Sequence, residues 1–442
     1  MIKQFKFPNG FRVIYEKPQN SLKLTSINVF CELGSVHETD KIRGVSHFIE
    51  HMCFKGTKKI PQSKDISAIY DNIGAYFNAF TDRPYTCYVL KCQDQFLMNS
   101  VLVLSDMLMN SKFSKKDFEK EKRVVVEENI LRSDDPVILL DDIITALIYN
   151  GSSYAFPTDT IHYHKLGSLQ YEETIETYKK FYQPENLVFS IVTHMNFEDI
   201  LTILKKSYFM RKSTNERLGK YSVKLSIQPQ EGIQYQLAHK PEIHTTYLNI
   251  GFRTCSQYSP DKYAIMILKN IIGGSMRTSR LFTILRENNG LTYTARASVS
   301  FFENMGDIRI YAEFDPKKLI KNTSKLGVLP LIINMLNNLV KEGITEKELS
   351  VCKNNMKGVL LLDTENSSSQ TSYNGEQVLL FNNQDVVPYH AFFDTFLKNI
   401  TKDLVNQMIE KYLKKGNMSV CIISGENQTI NKIKPICEKF IA

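Results

Sequence analysis

A chain of 442 residues with 43% hydrophobic content can build more than one ordinary core, so two domains of about 200 residues each are expected. Its 55 basic and 47 acidic residues leave a net charge of +8 spread along the chain. No helix or loop interleaves basic residues with aromatics, which argues against a nucleic-acid partner, and no apolar run is long enough to cross a bilayer, which argues against a membrane one.

The chain opens on an expected hairpin, residues 3–7 and 11–16 around Pro8-Asn9-Gly10, with no secretory or transit segment ahead of it. That favours a cytoplasmic or other reducing compartment. A strand is predicted over 26–33, and His47-Phe48-Ile49-Glu50-His51 follows on a helix. Residues four apart share a helical face, so His47 and His51 can reach one metal ion. Glu50 stands beside them, where a carboxylate can take a proton from water and hand it to a leaving amine. The string is His-x-x-Glu-His, the inverse of the commoner zinc hydrolase order. Next come a helix over 63–73, a strand pair over 75–81 and 86–92, and helices over 94–111 and 114–132. Catalytic zinc usually takes three protein ligands, and the last of these helices is rich in glutamate. Glu121 and Glu128 lie two turns apart on one face and could both point at a metal on a neighbouring helix, whereas Glu119 and Glu127 lie on other faces. A strand over 187–192 closes the first half.

The second half begins again with a strand over 245–253, a turn at Ser259-Pro260-Asp261-Lys262, an apolar helix, strands over 291–301 and 308–314, and long helices. The repeated order points to an internal duplication. With Asp40-Lys41 set on Asp261-Lys262, His47, Glu50 and His51 fall on Leu268, Ile271 and Ile272, so the second half keeps the helix and lacks the metal chemistry. The expected domains are 1–210, carrying the metal motif, and 236–442, joined by a polar, basic linker over 211–235. The eight cysteines show no paired short spacing and read as buried free thiols; Cys53, two residues past His51, turns away from the motif. His162 and His164 would share a strand face but have no acidic partner at fixed spacing, so no second metal site is expected.

Several segments resemble the inverted-motif zinc peptidases of the pitrilysin or insulinase type, especially the branch of the mitochondrial processing peptidase. His47 to Thr57 looks like the family's metal helix and following turn, and Glu119 to Glu128 like its second metal helix. The resemblance implies one Zn2+ per chain held by His47, His51 and Glu128, with Glu127 the alternative third ligand, Glu50 the catalytic acid and base, and Glu121 supporting a ligand from behind. Ser279 to Tyr293 looks like the family's C-terminal motif, which implies that Arg286 and Tyr293 act on the substrate, where such donors would stabilise negative charge on the carbonyl oxygen. Ala75 to Thr81 resembles its edge strand, which implies peptide contacts at Asn78 and Ala79. Gly151 to Asp159 departs from the Pro-Leu-Gly-Arg type segment of many relatives. The fold implied is α+β, two similar domains of mixed or antiparallel sheet packed with helices and facing each other like a clamshell around a peptide chamber. The activity implied is a zinc metalloendopeptidase acting on extended or unfolded peptides, alone, as a homodimer, or as a heterodimer with an inactive homologue. The alternative is a non-catalytic scaffold relative, or one subunit of a heterodimeric processing peptidase.

Overall fold

The N-terminal hairpin forms where its turn residues place it. Strand β1 (Ile2–Lys6) pairs antiparallel with β2 (Arg12–Glu16), and Gly10 holds a φ of 91°, with Glu185 so near that a Cβ would collide. The computed structural model describes residues 2–156, 169–213, 228–323, 325–381 and 385–442. His162 and His164, residues 157–159 of the departing segment and most of the expected linker lie outside the described residues.

The first unit is built on a six-stranded sheet. Besides β1 and β2 it contains β3 (Leu24–Cys31), β4 (Tyr76–Thr81), β5 (Thr86–Gln93) and β6 (Leu187–Val192), in the order β1-β2-β6-β3-β5-β4. Only β2 and β6 run parallel. Strand β3 ends at Cys31, short of the expected residue 33, because Leu33 N–H turns back to the Cys31 carbonyl at 2.7 Å. Alternation divides the inner strands between two cores. Val13, Ile27, Val29, Leu90 and Phe189 pack with helices α1 (Val45–Cys53), α2 (Ser63–Asp71) and α3 (Leu97–Met109). Helix α4 (Lys115–Asp134) adds Phe118 and Val125 to that core, and starts where Ser114 Oγ accepts the Asp117 N–H at 3.1 Å. On the opposite face, Ile14, Phe30, Cys87 and Val188 pack with Val378 and Leu379. Both faces are covered, so β3 and β6 are buried along nearly their whole length.

The second unit carries a five-stranded sheet of β7 (Gln234–His239), β8 (Thr246–Thr254), β9 (Thr292–Phe301), β10 (Gly306–Phe314) and β11 (Met418–Ser424), ordered β7-β11-β8-β10-β9. The order and strand directions repeat β2-β6-β3-β5-β4, down to the single parallel pair, β7 with β11. Duplication is thus present in the topology. The described residues are α+β, with two large sheets each packed with helices.

Neither unit is a continuous stretch. The first comprises Met1–Arg132, Phe156–Lys224 and Leu360–Ala391; the second comprises Ser133–Ala155, Leu225–Val359 and Phe392–Ala442. The units therefore differ from the expected 1–210 and 236–442 by two exchanged helices. Helix α5 (Pro136–Ile148) lies on β8 and β11, while the equivalent helix Ser367–Phe381 lies on β6 and β3. A sheet with two apolar faces needs a cover on each, and here the second cover comes from the other half of the sequence. Burying Val378 and Leu379 on the first sheet stabilises by about 1.5–3 kcal/mol per side chain. The approach is close enough that a Cβ at Gly375 would lie 2.1 Å from the Phe30 ring. Within the expected linker, Arg211 is fixed by bonds from its guanidinium to the Met109 and Tyr182 carbonyls, and Gln234 already opens β7. No described helix is long and apolar enough to cross a membrane, and all eight cysteines are free and buried.

Candidate metal centre

Helix α1 begins at Gly44, whose φ of 84° suits glycine and which has no side chain to cap the first amides. Glu38 supplies the missing acceptor: its Oε2 receives the Gly44 N–H at 2.7 Å and its Oε1 the Ser46 N–H at 2.9 Å. Burial pushes the Glu38 carboxyl up to about 7 against the pull of those two bonds. The helix that carries the motif is therefore fixed at its start by an acid outside it.

One turn on, His47 and Glu50 are buried and His51 is partly exposed. The two imidazoles meet edge to face, with their Nε2 atoms 3.1 Å apart. Glu121 on α4 lies 2.9 Å from His51 Nδ1 and 2.6 Å from Lys55 Nζ. Burial alone would raise the Glu121 carboxyl, but the bonds from His51 and Lys55 outweigh it and hold the group below its ordinary value. An ionised Glu121 accepts a hydrogen bond from Nδ1–H, which leaves the lone pair of neutral His51 on Nε2, facing His47. Glu128, two turns further along α4, brings its Oε2 to 3.5 Å from that same Nε2. Glu127 is exposed. Burial would lower the His51 pKa, yet the bond to Glu121 and the charges of Glu50, Glu121 and Glu128 bring it above 6.5.

These residues fit zinc. Two ligands at about 2.1 Å in a tetrahedral shell are about 3.4 Å from each other, close to the 3.1 Å between the imidazole nitrogens and the 3.5 Å between His51 and Glu128. Nitrogen and carboxylate donors are what zinc takes, and a carboxylate behind a ligating imidazole is its usual support. Among the described residues, His47, Glu50 and His51 form a group of possible ligands whose atoms all lie within 4.8 Å of one another, and Glu128 stands outside it. Glu50 is held from another side by Thr81 at the end of β4, whose Oγ1 donates to Oε2 at 2.7 Å.

Strand β4 is the edge of its sheet. Asn78 is exposed on it, and its Oδ1 accepts the Ala79 N–H at 2.8 Å while its Nδ2 donates to Tyr76 at 3.2 Å. In the second unit, helix Asp261–Gly273 carries Leu268, Ile271 and Ile272, all buried. Arg286 lies near the end of a helical turn over Phe282–Glu287, and Tyr293 is the second residue of β9, with 80% of its surface exposed. The two are paired: the Arg286 guanidinium carbon is 4.5 Å from the centre of the Tyr293 ring, and its NH1 donates to the Tyr293 carbonyl at 3.3 Å. Glu38, Lys55 and Thr81 were not singled out from the sequence. Only Glu38 gave a local sign, an acid shortly ahead of a glycine that starts a helix.

The profile of the insulinase family, peptidase family M16, matches residues 12–156, and that of the peptidase M16 inactive domain matches 168–356. The uncharacterized zinc protease YmxG of Bacillus subtilis is 32% identical over 383 residues, covering 86% of this chain and 88% of its own. The chain belongs to peptidase family M16. A second relative, the uncharacterized zinc protease ML0855 of Mycobacterium leprae, is 26% identical over 422 residues, covering 92% of this chain and 88% of its own. A protease from Helicobacter pylori has a similar fold, with a TM-score of 0.86 at 20% identity over 96% of this chain and 99% of that one. The first half of the periplasmic protease PqqL from Escherichia coli has a TM-score of 0.78 at 14% identity, over 99% and 96%. In this M16 chain the His-x-x-Glu-His string falls within the segment matched to the family's peptidase profile, and Arg286 and Tyr293 within that matched to the inactive domain.

Proposed function

We propose that this chain is a zinc metalloendopeptidase that cuts extended or unfolded peptides. The observation that carries the reading is the convergence of the His47 and His51 Nε2 atoms with His51 Nδ1 already engaged by Glu121. His47, His51 and Glu128 hold the Zn2+, and Glu121 orients His51. When bound, zinc supplies Lewis acidity that lowers the pKa of water and polarises the scissile carbonyl. Glu50 takes the proton from the attacking water and later gives it to the departing amine. Glu50 is assigned to proton transfer because it shares the metal helix with both imidazoles and its Oε2 is engaged by Thr81, while Glu128 offers an oxygen as the third donor at ligand spacing from His51.

The edge of β4 receives the peptide as an added strand. A peptide carbonyl takes over the Ala79 N–H from Asn78 Oδ1, and the released Asn78 amide turns to the peptide. Arg286 and Tyr293 supply donors for the charge that develops on the carbonyl oxygen. A carboxylate behind an imidazole of the motif is the usual support of a metal ligand, and that pairing favours the enzyme. The test is cleavage of an unfolded protein and a peptide library by the wild type and by Glu50→Gln, with zinc content measured in both. The expected result is zinc in both proteins and cleavage only by the wild type. Cleavage at the original rate by a zinc-loaded Glu50→Gln would overturn the assignment.

A further inference from the structure

We propose that Thr81 is a positioning residue for Glu50, fixing the plane of its carboxylate from the end of the edge strand; the inference rests on the reading of Glu50 as the proton carrier. Strand β4 alternates cleanly, with Tyr76, Asn78 and Phe80 exposed and Phe77, Ala79 and Thr81 on the half-buried side. That side faces the core. Phe77 stacks on Tyr70 with ring centres 4.5 Å apart and meets Phe54, just past α1, at 5.0 Å. Thr81 is the last residue on this side, and its Oγ1 lies 2.7 Å from Glu50 Oε2. An ionised carboxylate can only accept, and Glu50 Oε2 at 2.7 Å is nearer to Thr81 Oγ1 than Thr86 Oγ1 at 3.3 Å, which gives its own proton to the Leu33 carbonyl at 2.8 Å, so the Thr81 proton goes to the carboxylate.

A glutamate has three torsions between backbone and carboxylate, and proton transfer needs the oxygens within hydrogen-bond reach of the reacting atoms. Helix α1 fixes the Cα of Glu50. Thr81 fixes the other end, and does so from the strand proposed to receive the peptide. A threonine suits the place, since its branched Cβ favours a strand and restricts χ1, holding the hydroxyl on one side. The peptide-binding edge and the proton carrier are thereby joined through one hydrogen bond, without involving a metal ligand.

The experiment compares Thr81→Val, Thr81→Ser and Glu50→Gln with the wild type, alone and with Thr81→Val and Glu50→Gln combined, reading kcat, KM, zinc content and Tm. Thr81→Val is expected to lower kcat about 10- to 100-fold, the loss of one hydrogen bond to a charged group, with KM and zinc content within error of the wild type and Tm lowered by no more than a few degrees. Thr81→Ser is expected to restore most of kcat. In the Glu50→Gln background, Thr81→Val is expected to cost nothing further, since the two act as one unit. A crystal structure of Thr81→Val is expected to show the Glu50 side chain spread over more than one rotamer, with His47 and His51 unmoved. Should the valine variant fail to fold, Thr81→Ala carries the same comparison. A kcat within twofold of the wild type for Thr81→Val, beside an inactive Glu50→Gln, overturns the inference alone. Full activity in Glu50→Gln overturns the functional reading beneath it.

Discussion

Replacing Glu121 tests how the site is held together. Its side chain is 3% exposed, one oxygen is 2.9 Å from His51 Nδ1, and the other is 2.6 Å from Lys55 Nζ. Because Lys55 already answers much of the carboxylate's charge, the larger part of its effect on the metal is orientation: it fixes the tautomer and plane of His51. Removing such a partner costs about 10- to 100-fold in metal affinity, equivalent to about 1.4–2.7 kcal/mol. Glu121→Gln keeps an oxygen to accept from Nδ1 and belongs at the low end of that range. Glu121→Ala frees the imidazole to turn or to take the other tautomer and belongs at the high end. Glu119→Gln, on the exposed side of the same helix, should leave affinity unchanged. The assay is competition for zinc against a chromogenic chelator at fixed pH and salt. Wild-type affinity in Glu121→Ala would refute the reasoning, since His51 would then need no partner behind it.

Gly375→Ala sets two effects against each other: alanine gains about 1 kcal/mol in helix propensity, while a Cβ 2.1 Å from the Phe30 ring forces the helix off the sheet at about 1–3 kcal/mol or more. The ring is packed edge-on against Tyr85 and has little room to yield, so net destabilisation is expected in chemical denaturation, and a gain in stability would contradict it. In the second unit, Asp307 accepts two bonds from buried Arg309 at 2.9 Å and one from Tyr149 at 2.6 Å. Asp307→Ala leaves that guanidinium with Asp141 alone, and a loss of about 3–5 kcal/mol is expected by the same measurement; a loss under about 1 kcal/mol would show that Asp141 suffices. Because the His51 pKa in the metal-free fold lies above 6.5, its ion pair with Glu121 stabilises that fold fully below pH 6.5 and is lost as pH rises through the raised value. Zinc uptake just above pH 6.5 should therefore release a proton, seen in calorimetry as a heat that changes with the buffer's ionisation enthalpy; a heat independent of buffer would contradict it.

The parts of the fold written in local pattern were legible. Pro8-Asn9-Gly10 gave the first turn, and helical spacing put His47 with His51 and Glu121 with Glu128, because each depends only on the geometry of one element. The strand over 187–192 has its expected limits. What stayed hidden is pairing at long range. Nothing local to Gln234–His239 shows that it pairs with Met418–Ser424, and nothing in the helices Pro136–Ile148 and Ser367–Phe381 tells which sheet each will cover. The small residues Gly251 and Gly375, where those helices approach a strand, are traces of it. In the site, the paired spacing of the motif was visible, whereas Thr81 and Lys55 touch their carboxylates through the fold and left no mark in spacing.

The measurement that bears most directly on the central claim is an anomalous difference map of zinc-loaded crystals at the zinc absorption edge. One peak per chain is expected, about 2.0–2.2 Å from the Nε2 atoms of His47 and His51 and from a Glu128 oxygen, with Glu50 outside bonding distance. A peak bonded to Glu50 in place of Glu128, or no peak at His47 and His51, would contradict the account.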